Sequence, residues 1–237
     1  MLNHLKILRS GFLTAILVAG VMPSLTVKAA VETVGAVLPQ VQTDYKDLLA
    51  VEQFNPNLGT LESVSITATG TGQFSQYYQN LSTSSAGSVT ISQNFDMVLS
   101  MPSTGTMITE LNVTPGAQTY SAQAYTGTPF FTGKSGGSQS YQASASSTVP
   151  LGSSLFAAFT GSGMADFLVT ANGSGSSSEN TGNFAVGWTT LAGLDLSVVY
   201  TYAAIPEPAT GLAGGLAVLG LLIYIGRNSR RRGVLPK

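Results

Sequence analysis

The sequence predicts an all-β domain, an antiparallel β-sandwich, carried between two apolar ends. Three observations point there. Every second residue from Val89 to Met101 is apolar except Gln93, with Thr, Ser, Asn, Asp and Val between. A period of two belongs to a strand with one buried face, not to a helix. Leu194, Leu196, Val198, Tyr200 and Tyr202 repeat the pattern, with Asp195, Ser197 and Thr201 on the other face. Turn clusters at 82–87, 133–138 and 172–182 then divide the chain at the spacing of short, hairpin-linked strands.

Taken in order, the chain opens with Lys6 and Arg9, an apolar stretch over 11–22, and a short polar run ending Val27-Lys28-Ala29. That is the layout of a secretory signal peptide, 1–29, with Ala30 the first mature residue. Its apolar core is too short for a stable anchor. Residues 30–52 form an extended lead-in. Asn55-Pro56 starts a turn in which Asn57 or Gly59 takes φ > 0 cheaply, and Leu61, Val64, Ile66 and Ala68 begin a half-buried strand. Weaker strands are predicted at 74–78, 107–113, 120–125, 141–149, 155–160, 164–171 and 184–191. Ser and Thr suit their solvated faces. The body contains no amphipathic helical run and no long fixed repeat, and about 175 residues suffice for one core without disulfides.

The whole chain carries 10 Lys and Arg against 11 Asp and Glu, one histidine and no cysteine. The histidine is His4, inside the leader. Between the two ends only Lys46 and Lys134 face ten acids, so the body carries −8. This argues against nucleic acid as a partner, since that binding needs Lys and Arg to neutralise phosphates. It also excludes histidine triads and His/Cys metal sites from the mature body. Lys134 lies in Thr-Gly-Lys-Ser-Gly-Gly, but the position five before Gly133 is Thr128, so the phosphate-loop spacing fails. Asp44, Asp47, Asp96, Glu110, Asp166 and Asp195 are the candidates for paired carboxylates of a glycosidase. Single solvated acids on outer strand faces is the favoured reading. There is no Asp-x-Asp-x-Asp run for calcium. No catalytic residue, cofactor or metal is expected. Tyr77, Tyr78 and Trp188, together with Tyr120, Tyr125 and Tyr141, either stack a polysaccharide or fill the core; core filling is favoured. The sequons at Asn80, Asn112 and Asn172 are near chance in so Ser/Thr-rich a chain.

The C-terminal end has three parts. Pro206-Glu207-Pro208 is a stiff extended strap. Ala209 to Gly226 is uncharged, close to the about 17–25 residues that span a bilayer, and its glycines are tolerated in membranes. Arg227, Arg230, Arg231 and Arg232 form a basic stop that favours a cytoplasmic C-terminus. This order resembles the PEP-CTERM sorting signal of Gram-negative bacteria, with a transmembrane helix at 209–226, although Gly233 to Lys237 continue past the arginines. The resemblance implies recognition by an exosortase, with the inner membrane as the precursor's temporary anchor. The segment Phe54-Asn-Pro-Asn-Leu-Gly-Thr-Leu61, with the Gly/Ser-rich stretch from Phe159 onward and Val198-Val-Tyr-Thr-Tyr202, resembles the choice-of-anchor E domain over about residues 37–203. Asn55 stands where that family usually has Asp. The implied organisation is a signal peptide at 1–29, an exported domain at 30–203 and a sorting tail at 204–237. The implied role is a non-enzymatic cell-surface or extracellular-matrix protein. The alternative is a carbohydrate-binding module in extracellular polysaccharide.

Overall fold

The computed structural model describes residues 29–127, 130–180, 183–205, 218–222 and 224. Nine strands build two antiparallel sheets: β1 Ala29–Gln42, β2 Tyr45–Glu52, β3 Gly59–Asn80, β4 Gly87–Met101, β5 Thr106–Val113, β6 Gln118–Ala122, β7 Gly136–Pro150, β8 Met164–Glu179 and β9 Phe184–Ala204. The first sheet has the order β1-β9-β3-β7 and the second β2-β8-β4-β5, with β6 paired to β4. That strand order, with the chain passing between the sheets, is a jelly roll. The all-β sandwich stands, in this specific topology.

Strict alternation decides which face each strand buries. On β4 every odd residue from Val89 to Met101 is buried, and the even ones are partly exposed. Val64, Ile66, Ala68 and Phe74 of β3, and Leu194, Leu196, Val198 and Tyr200 of β9, complete the inner layers. Midway, Phe74 and Phe95 stack across the sandwich with centroids 5.9 Å apart. Gly72 makes room for them: a Cβ there would lie 2.6 Å from Phe95 Cε1 and 2.7 Å from Phe74 Cε2. At one end the rings of Phe54, Phe159, Phe167, Tyr200 and Tyr202 close the core. The outer face of the first sheet is polar. Thr67–Thr148, Thr69–Ser146 and Ser75–Ser140 pair hydroxyl to hydroxyl at 2.9, 3.0 and 3.1 Å, the cross-strand contacts that fix a register.

Four expectations need correction. Residues 30–52 are not a lead-in but two strands, one in each sheet. As an edge strand β1 leaves Val31 and Val37 exposed, which blurs its alternation. Residues 155–160 do not form a strand: Ser153–Phe159 is a 3-10 turn that drops Phe159 into the end of the core. The Gly/Ser stretch from 172 is not all turn, because β8 runs on to Glu179, fully paired with β4. The segments 184–191 and 194–202 are one strand, held by β3 along its whole length.

Of the segment 1–29 expected as a signal peptide, residues 1–28 lie outside the described residues. Of the run 209–226, residues 218–222 and 224 are described; they are helical and exposed. Among the described residues no helix is long and apolar enough to cross a membrane.

Candidate functional site

The two ends of the folded body meet. Ala29 pairs with Ala203 and Gly59 with Ala204, and the Ile205 N–H donates to the Leu58 carbonyl at 3.1 Å. Glu52 pairs with Met164 at the same end. The local chain turns there because Asn55 Oδ1 accepts from the Asn57 N–H at 3.0 Å and Pro56 fixes the start of a 3-10 turn. Gly59 follows, and a Cβ on it would collide with the Ala203 carbonyl oxygen. Leu58, Met164 and Ile205 are exposed at this end. Pro206, Glu207 and Pro208 follow directly; they lie outside the described residues, as do Arg227, Arg230, Arg231 and Arg232.

The aromatic candidates do not form one platform. Tyr77 and Tyr78 are consecutive on β3 and so point to opposite faces. Tyr77 lies on the outer face, its ring 5.7 Å from that of Phe131. Tyr78 points inward and stacks on Tyr120 at 4.5 Å. Trp188 lies beyond the reach of β1, which stops pairing with β9 at Leu191, and is 38% exposed. Its indole lies against Gly175 of β8, where a Cβ would sit 2.5 Å from Cε2.

A polar layer between the sheets, one step beyond the Phe74–Phe95 stack, was not legible in the sequence as a unit. Tyr120 donates to Gln76 Oε1 at 2.6 Å and its hydroxyl lies 2.8 Å from that of Tyr141. Gln93 Nε2 donates to Thr190 Oγ1 at 3.2 Å. Gln76 and Gln93 are almost wholly buried. Gln93, the one break in the β4 alternation, is the only visible signal of this layer. Burial, then the hydrogen bond to Tyr141, raise the pKa of Tyr120.

The acids are dispersed. Asp195 sits on the outer face of the first sheet, whereas Asp96 and Asp166 lie on the second, Asp96 accepting from Asn112 Nδ2. Asp44, in the left-handed region at φ 72°, accepts from the Gly173 N–H at 3.0 Å and so shapes the β1–β2 crossover. Asp47 bonds the next backbone N–H, of Leu48. Among the described residues no group of three or more His, Cys, Asp or Glu gathers as a metal site would. Lys134 is exposed beside an open groove of ≈ 750 Å³ with Ser88, Ser121 and Asn180.

Tyr200 closes the same end as Phe54. Its hydroxyl donates to the Glu52 carbonyl at 2.8 Å. Burial, with a smaller contribution from the Glu32 carboxylate, pushes its pKa up from 10.0 to about 12. The unfolded chain then loses this proton first, so stability is intact below pH 10 and falls as pH rises from 10 to 12. Thermal melts from pH 8 to 11.5 are expected to decline more gently for Tyr200→Phe than for the unmodified chain. A parallel decline in both would contradict this.

No protein-family model matches the chain, and no curated protein matches it. Among solved structures it shows slight likeness to the structure of the infectious bursal disease virus Gx strain, with 9% identity and a TM-score of 0.20, covering 76% of this chain and 38% of that one. The Gt strain of the same virus gives 13% identity and a TM-score of 0.15, covering 78% and 44%. The chain thus spans less than half the length of either. TM-scores of this size belong to chains that superpose poorly and say nothing about function.

Proposed function

We propose that the chain is an exported, non-enzymatic surface or matrix domain, delivered by its C-terminal tail through an exosortase. The observation that carries this reading is the order of Pro206-Glu207-Pro208, the uncharged run from Ala209 to Gly226, and the four arginines. The geometry of the body supports it. β9 is flanked by β1 and β3 and stays bonded up to Ile205, so the strap begins where the folded domain stops. A body anchored this way hangs from a well-held strand rather than from a frayed end. The exposed Leu58, Met164 and Ile205 lie at that same end, which fits a face close to the lipid surface.

In this reading the leader and the tail are both removed. The −8 body favours solubility of the exported domain. The prolines hold the strap extended, the conformation in which a processing enzyme reads backbone. The tail then serves as a temporary anchor with its arginines on the cytoplasmic side. The mass of the mature chain from the cell surface tests the reading, because it fixes both ends at once. The polysaccharide alternative needs an aromatic platform that Tyr77, Tyr78 and Trp188 do not share, so no second reading is advanced.

A further inference from the structure

A sheet edge is a row of unpaired N–H and C=O groups, and folded proteins usually blunt it with charges, proline, a bulge or short length. Most edges of this jelly roll follow that rule. β1 carries Glu32 and Pro39 and has a register shift between Leu38 and Val41. β2 has eight residues, among them Lys46, Asp47 and Glu52. On the far side of the second sheet β5 carries Glu110 and pairs across a register shift, while β6 has only five residues.

β7 has none of these devices. It is 15 residues long, carries no charge, and has proline only at its last position, Pro150. Its pairing with β3 runs from Gln79–Gly136 to Ser65–Pro150 without a shift. Its other side is the outer edge of the first sheet. Among the described residues no backbone group of 138–148 bonds on that side. In a body of charge −8 this strand carries no charge, so two β7 strands can pair without opposing like charges within the pair.

The strand also complements itself. A two-fold axis through Ala143, running two β7 strands antiparallel, sets Ser138 against Thr148, Ser140 against Ser146, and Gln142 against Ser144 on the exposed face. On the inner face it sets Tyr141 against Ala145 and Gln139 against Ser147. The exposed-face pairs repeat the hydroxyl pairing that already joins β3 to β7 through Thr67–Thr148 and Ser75–Ser140. Isologous two-fold contacts are the commonest route to a homodimer, and strand addition at an exposed edge supplies the backbone bonds.

We propose that the β7 edge is a self-association surface, pairing antiparallel with β7 of a second copy about Ala143. The two first sheets then join into one continuous sheet, β1-β9-β3-β7 followed by its two-fold mate. The chain has no cysteine, so a single introduced thiol reports one contact. Full-length chain with Ala143→Cys, oxidised mildly in the membrane of the producing cell, is expected to give a disulfide-linked dimer. Its yield should exceed that of Thr33→Cys, on the exposed β1 edge, by about tenfold. Ser144→Cys, on the exposed face, gives the same readout with a short bismaleimide if Ala143→Cys does not fold. Adding Ser140→Lys and Ser146→Lys, which would oppose lysines across the axis, is expected to abolish the crosslink. Absence of a dimer from both β7 thiols, equal yield from β1, or a crosslink indifferent to the lysines would each overturn the proposal.

Discussion

Replacing Pro206 and Pro208 by alanine is expected to leave the full-length precursor in the membrane fraction. The reason lies in where the strand stops. Ile205 is still bonded to Leu58, so the strap has almost no slack between the body and the apolar run. The prolines prevent a helix from growing back into it, because each lacks an N–H and disfavours helical φ/ψ in the residue before it. With alanines, the helix proposed for the run 209–226 would extend toward Ile205 and hide the backbone that the proposed exosortase reads. Alanine is also the best helix former, which drives the change. Immunoblots of fractionated cells would show one uncut species. Unchanged processing would mean that the Pro-Glu-Pro strap is not what is recognised.

The largest effect on stability is expected at the centre of the sandwich. Phe95→Ala removes a fully buried ring that stacks on Phe74 at 5.9 Å. Gly72 lies directly against it, and glycine has no side chain with which to fill the void. Truncations of this kind cost about 3–5 kcal/mol, or roughly 6–20 °C in Tm for a domain of this size. Thermal unfolding followed by far-UV circular dichroism checks it. A shift below about 2 °C would mean that the two sheets are not joined through this stack.

The parts of the fold that were legible are those where one face is buried and the other wet. β4 and the second half of β9 announce themselves by alternation alone, because each odd or even position meets a single environment. β1 does not, since an edge strand leaves Val31 and Val37 in water while Glu32 takes an inward position. β8 past Ala171 hides for another reason: Gly173 and Gly175 are small because Thr43 and Trp188 pack against them, and small residues read as turn. The 3-10 turn before Phe159 looks like a strand because a short apolar run has no decisive period.

The chemistry of the body was legible mainly as exclusion. No histidine or cysteine is present there, and the acids that the sequence scatters stay scattered over both sheets. Gln93 hinted at a polar layer, but its partner Thr190 and the neighbouring Gln76, Tyr120 and Tyr141 come from four other strands, which no local pattern reveals. Tyr77 and Tyr78 are neighbours in sequence and therefore face opposite ways, so they do not lie on one face of the sheet.

The most direct test is the intact mass of the protein taken from the surface or matrix of cells that make it. A chain that begins at Ala30 and stops within or beside residues 206–208, with no arginine cluster, is the predicted species. A surface-resident form that still ends in Arg230-Arg231-Arg232 would contradict the account.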